Sequence, residues 1–294
     1  MEILPVLLNV AVTVFAVSSM LSVGFGHKLR DVISPLRDIP GLITAVVANF
    51  VLVPLLAVGI VWLIPLDRGM ATGMIIVAAA AGAPMAIKLA SNAGENVAFA
   101  AAILVLLLVV SIVYMPLVIP LLAEGGSVSA WSIARPLVLT MLMPLAVGFL
   151  IKIYIPRLSD ALLPYLGIIT NVSLVALVAL TLYLNFSSVI GVFGTGGIQA
   201  ALLLVAGSFA IGYAVGTFDK SEKTVLGFAT AQRNFAAANV VAIQAFTDSG
   251  VLVMAIVISM VAMLLLPLSL AFGKRTVKDI AVNKDAQRKI SGAG

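Results

Sequence analysis

VLGFATAQRNFAAANVVAIQAF, residues 225–246, is a hydrophobic stretch with one charge, Arg233, near its middle and no carboxylate. A fixed charge at bilayer depth costs on the order of 2.5–3.5 kcal/mol on insertion scales, so it persists only where something stabilises it. Met70 to Asn92 repeats the pattern, with Lys88 a few residues after Gly82-Ala83-Pro84. Each cation stands beside helix-breaking or polar residues. That arrangement points to an anion site inside a bundle of membrane helices, and so to a transporter.

The composition agrees. The 294 residues are 62% hydrophobic and 10% charged, with a mean hydropathy of +1.22. A soluble domain is about 25% charged, so the chain is an all-α polytopic membrane protein whose first partner is the lipid bilayer. The net charge of +5 sits in short loops and a tail, where membrane topology explains it and nucleic acid does not. The absence of cysteine removes disulfides, thiolate metal sites and cysteine nucleophiles together. The single histidine, His27, lies in a basic loop. No HExxH, GxSxG, Asp-rich phosphate motif or intramembrane carboxylate pair is present, so the reading is not an enzyme, with no catalytic residues, no metal and no cofactor. Ile3 to Val23 follows Glu2 and no basic n-region, and reads as a retained helix.

A crossing helix needs about 20 apolar residues. Runs of that length predict nine spans, at about 3–25, 40–64, 70–92, 96–122, 133–154, 161–186, 196–217, 222–246 and 250–272. Lysine and arginine then set the orientation. Lys28, Arg30, Arg37, Lys152, Arg157, Lys220, Lys223 and six more in the tail from Lys274 to Lys289 fall on one side, and Arg68 and Arg135 on the other. The positive-inside rule puts the amino terminus outside and the tail in the cytoplasm, as expected for a bacterial inner (plasma) membrane.

Spans three and four resemble spans eight and nine in plan. Each pair opens with a helix interrupted by small and polar residues, passes a short polar link, and ends in a long aliphatic helix with a late proline, Pro116 or Pro267. The pairs are an odd number of spans apart and run in opposite directions. Inverted repeats with broken helices put substrate sites near the midplane, where unwound backbone and helix ends supply polar groups.

The chain resembles the bile acid:sodium symporter family, within the broader bile acid and arsenite transporter group. The likeness is carried by Ala48-Asn49-Phe50-Val51-Leu52-Val53-Pro54, Gly82-Ala83-Pro84, Tyr114-Met115-Pro116-Leu117, Met143-Pro144-Leu145-Ala146-Val147-Gly148 and Gln232-Arg233-Asn234-Phe235-Ala236. Their order along roughly 40–272 is more specific than any one of them. The resemblance implies a transmembrane domain, 1–272, divided into a panel (about 3–25 and 133–186) and a core (about 40–122 and 196–272), followed by a basic cytoplasmic tail, 273–294. The two broken helices would cross inside the core, and substrate would bind in the cleft facing the crossing.

Departures from the family pattern shape the expected mechanism. The family continues its first break as Pro-Gly-Gly and reaches a sodium-holding Ser-Asn pair. Here Pro84 is followed by Met85-Ala86-Ile87-Lys88, with Ser91 and Asn92 later. The family's sodium-site glutamate, about a turn before the Gln-Asn pair, has no counterpart in Gly227-Phe228-Ala229-Thr230-Ala231. A sodium ion is therefore disfavoured, since hard cations want several oxygens and nearby negative charge. Every acid maps to a loop, span end or tail.

The resulting expectation is a secondary active transporter of small organic anions working by alternating access, with Lys88 and Arg233 in place of the sodium sites. Lining or crossing residues are Lys88, Arg233, Gln232, Asn234, Thr230, Pro84, Ser91, Asn92 and Asn49. Two alternatives stand beside it: a sodium-coupled organic-anion symporter with rebuilt sites, and an anion-binding membrane sensor that does not transport. The residues carry plainer readings too. Lys88 is near enough to its span end to snorkel, Arg233 to cap carbonyls of the broken third span, and Asn49, Asn171 and Asn239 to act as interhelical glue.

Overall fold

The computed structural model describes residues 3–28, 30, 39–122, 129–216 and 220–267. Among the described residues every regular element is helical: α1 (Ile3–Gly26), α2 (Ile39–Leu63), α3 (Arg68–Ala79), α4 (Met85–Ala93), α5 (Val97–Leu122) and α6 (Ala130–Tyr154), then α7 (Pro156–Leu184), α8 (Phe186–Gly191), α9 (Gly197–Val215), α10 (Lys220–Ala231), α11 (Phe235–Ala245) and α12 (Ser249–Pro267). Seven of these, α1, α2, α5, α6, α7, α9 and α12, are long and apolar enough to cross a bilayer. The other two expected spans are each a pair of shorter helices. α3 and α4 part at residues 80–84, and α10 and α11 part at residues 232–234. Arg37 and the tail 273–294 lie outside the described residues.

Helix ends follow local chemistry. The Asp67 carboxylate accepts the Met70 amide at 2.8 Å and starts α3, and Ser129 accepts the Ser132 amide at 3.1 Å and starts α6. α7 begins at Pro156, ahead of the expected 161. Proline's fixed φ and missing N–H suit a first helical turn, which the apolar run alone does not reveal. Within α2 and α6 the chain widens into π turns, Ala48–Leu52 and Val138–Leu142, just ahead of Pro54 and Pro144.

α1 lies along α7 and the second half of α6. A Cβ added to Gly24 would stand 2.7 Å from the Gly148 Cα, so these two glycines let α1 and α6 touch at the backbone. Thr170 donates from α7 to Ser18 of α1 at 2.9 Å. α7 is mostly exposed along its length, whereas α5 and α12 are more than half buried, so the packed centre lies around the broken pairs. α9 packs on α10 and α2, and α3 packs on α5 and α11.

Candidate functional site

The first break opens because Gly82 takes a left-handed φ of +84° and Pro84 follows it. A Cβ at residue 82 would lie 2.4 Å from the Leu108 amide nitrogen, so α5 passes directly over the break. Ser111 of α5 secures it from the side, accepting the Ala81 amide at 2.8 Å and donating to the Ala81 carbonyl at 3.0 Å. A helix end leaves its last carbonyls without amide partners. At the end of α3 the Ala78 carbonyl and the Val77 carbonyl, which also accepts the Ala80 amide at 3.1 Å, point at the second break.

Arg233 meets them there. Its side chain is 1% exposed. Nε donates to the Val77 carbonyl at 3.2 Å, and Nη2 donates to the Ala78 carbonyl. Nη1 donates to Asn49 Oδ1 at 2.6 Å and to the Thr230 carbonyl at 3.2 Å, and Nη2 reaches the Asn49 carbonyl at 3.4 Å. A guanidinium carries five N–H donors, and here five acceptors engage it. None of them is a carboxylate. The charge rests on the C-terminal ends of α3 and α10, where the helix dipoles present partial negative charge.

The Asn49 carbonyl is free for a physical reason. In the π turn the Val53 amide bonds to Ala48, and Pro54 has no amide to offer Asn49 or Phe50. Arg233 takes the first carbonyl, and the Tyr114 hydroxyl takes the second at 2.7 Å. Asn49 Nδ2 donates to Thr230 Oγ1 at 3.2 Å, which fixes the amide that faces Arg233. The breaks are also joined through the main chain, since the Asn234 amide donates to the Ala80 carbonyl at 2.9 Å.

In front of this contact lies a cavity of about 240 Å³. Ala83, Pro84, Met85 and Lys88 line it from the first break, and Gln232, Arg233, Asn234, Phe235 and Ala236 from the second. Phe15 and Ser19 of α1, Thr170, Asn171 and Leu174 of α7, and Met263 of α12 close the far side. The N-terminal ends of α4 and α11 both open onto it, and helix N-termini favour negative charge. Lys88 is exposed there and has no hydrogen bond or ion pair to any described residue. Gln232 Oε1 and Asn234 Nδ2 are buried without partners, although Asn234 Oδ1 caps α11 by accepting the Ala237 amide at 3.1 Å. Among the described residues no carboxylate lines the cavity and no cluster of His, Asp and Glu is suited to a metal.

Of the residues singled out from the sequence, Lys88, Pro84, Gln232, Arg233 and Asn234 come together at the cavity. Thr230 and Asn49 stand behind it, around the guanidinium. Ser91 and Asn92 are exposed at the far end of α4 and do not line it. Ser19 and Thr170 line it as well; in the sequence each is one of several polar residues in its span, with nothing to set it apart.

The helical spans and the paired breaks define a membrane transport protein. The chain belongs to the sodium bile acid symporter family, whose model matches residues 13–192. Members of this family are transporters and not enzymes. The matched residues include the first break, and the second lies beyond them. An Arabidopsis thaliana protein described as a probable sodium/metabolite cotransporter, BASS3, chloroplastic, is 25% identical over 195 residues, 66% of this chain and 45% of that protein. The chain thus spans less than half the length of the curated relative it matches.

Proposed function

We propose that the protein is a secondary active transporter of small organic anions that works by alternating access. The cavity carries this reading. Two helix N-termini and Lys88 face it, no acid among the described residues does, and its remaining wall is largely apolar, a match to a carboxylate or sulfonate with an apolar body. Nine crossings are counted by adding the two broken pairs to the seven long helices. α1, α6 and α7 act as a panel moving against a core of α2–α5 and α9–α12, a division supported by the packing of α1 on α6 and α7. The amino terminus lies outside and the tail in the cytoplasm of a bacterial inner membrane, as the lysines and arginines favour.

Arg233 serves as a built-in cation at the crossing. Its oxygen acceptors, four main-chain carbonyls and one amide, are ligands of the kind a hard cation seeks, and a guanidinium already fills that cage. Transport is then independent of sodium. A sodium-coupled symport is the second reading. It is favoured by the description of the Arabidopsis relative as a probable sodium/metabolite cotransporter and by the unpartnered acceptor Gln232 Oε1.

Reconstitution into proteoliposomes, with labelled benzoate, 4-methyl-2-oxopentanoate and benzenesulfonate as probes, tests the proposal. Accumulation without a sodium gradient supports the built-in cation. Strict sodium dependence overturns it in favour of the symporter. Binding to purified protein with no passage across a sealed vesicle, even one preloaded with unlabelled anion, makes the protein a sensor.

A further inference from the structure

The two intramembrane cations differ in what neutralises them, and that difference bears on how the carrier can return when empty. Arg233 is saturated by protein oxygens. Lys88 lines the cavity, and among the described residues no acid faces it from any wall. The α1 and α7 side offers Phe15, Ser19, Thr170, Asn171 and Leu174, all neutral, and α12 offers Met263. While the cavity is open, water solvates the ammonium group. Alternating access requires the cavity to close to both sides in passing, and closure strips that water. An empty carrier would then carry a bare cation, together with the positive ends of α4 and α11, through its closed state. An anion bound beside Lys88 removes the penalty.

We infer that the protein is an obligate exchanger of monovalent organic anions, held from moving when empty by the unneutralised Lys88. This rests on the reading as an anion transporter and adds its mode. The carrier crosses only when loaded, so inward passage of one anion requires outward passage of another. One-for-one exchange of monoanions moves no net charge, and the gradient of one anion drives the other.

Wild-type proteoliposomes decide it. They are loaded either with unlabelled 4-methyl-2-oxopentanoate or with potassium phosphate buffer alone, and the labelled compound is added outside. An uncompensated charge at bilayer depth slows the empty return by on the order of a hundredfold, so loaded vesicles are expected to take up label at least about tenfold faster. Efflux from preloaded vesicles should likewise quicken when unlabelled anion is added outside. Equal rates with and without anion inside overturn the exchange inference and leave the transporter intact. No uptake of benzoate, 4-methyl-2-oxopentanoate or benzenesulfonate under either loading overturns the transport reading, and the exchange inference with it.

Two variants test the assignment to Lys88. Lys88→Met should bring the loaded-to-unloaded ratio close to one while raising KM, and Lys88→Arg should keep the ratio high. A ratio unchanged in Lys88→Met overturns the role given to Lys88. If Lys88→Met takes up no label, the efflux measurement on wild type decides the exchange inference alone.

Discussion

The two breaks hold complementary halves of one contact. The first, at residues 80–84, is built from small residues and proline, and it offers acceptors: the Val77, Ala78 and Ala80 carbonyls. The second, at residues 232–234, is built from polar side chains, and it offers donors: the Arg233 guanidinium and the Asn234 amide. Neither break satisfies all of its own backbone. In the hydrocarbon region an unpaired backbone group is too costly to leave, so the breaks lean on each other and, at Ala81, on Ser111 of α5. The same contrast separates the cations. Arg233 is spent on the protein, and Lys88 faces open space. One residue is expected to govern stability and the other affinity.

The largest effect should come from Arg233→Ala. It removes a donor from carbonyls on three helices and from the Asn49 side-chain oxygen, and breaking a buried charged contact costs about 3–5 kcal/mol. Thermal unfolding in detergent should fall sharply, and an unchanged melting temperature would break the comparison by making the guanidinium dispensable. Gly82→Ala comes next. It combines a positive φ with a backbone clash on α5, and strain of this kind is worth about 1–3 kcal/mol before the clash is counted. Loss of monodisperse protein on size exclusion is the expected sign.

Ser111→Ala removes both clasps on Ala81. It should destabilise by about 1–3 kcal/mol, the cost of buried groups left unpaired, while the cavity residues stay in place. Lys88→Gln should leave stability within about 0.5 kcal/mol, as exposed sites do, yet raise the KM for anions. A melting temperature that falls with Lys88→Gln as far as with Arg233→Ala would erase the division of labour between the two cations. Ser91→Ala, outside the cavity, should change neither uptake nor stability by more than about 0.5 kcal/mol.

Much of this was legible in the chain. Apolar runs located the seven long helices to within a few residues, except at α7, where Pro156 extends the start. Gly82-Ala83-Pro84 and Gln232-Arg233-Asn234 marked both breaks, because residues that disrupt a helix stand out in an aliphatic sequence. Asn49 was visible as a polar residue in an apolar span. Its task was not, since that task depends on a π turn and on a carbonyl that Pro54 leaves free. Ser91 and Asn92 were drawn into the site by their resemblance to a family pair, and the end of α4 carries them away from it.

Sequence alone determined that the chain lies in a membrane, where its long helices fall, where helix-breaking residues interrupt two hydrophobic stretches, and that each of those stretches holds a cation and no acid. Hydrophobic run length and the turn chemistry of glycine and proline are local properties, so a linear reading captures them. Tertiary structure alone decided which cation is satisfied. Arg233 gathers acceptors from positions 49, 77, 78 and 230, and Lys88 gathers none among the described residues. A buried charge is stabilised by whichever dipoles converge on it in space, and that convergence follows from the packing of helices far apart in the chain.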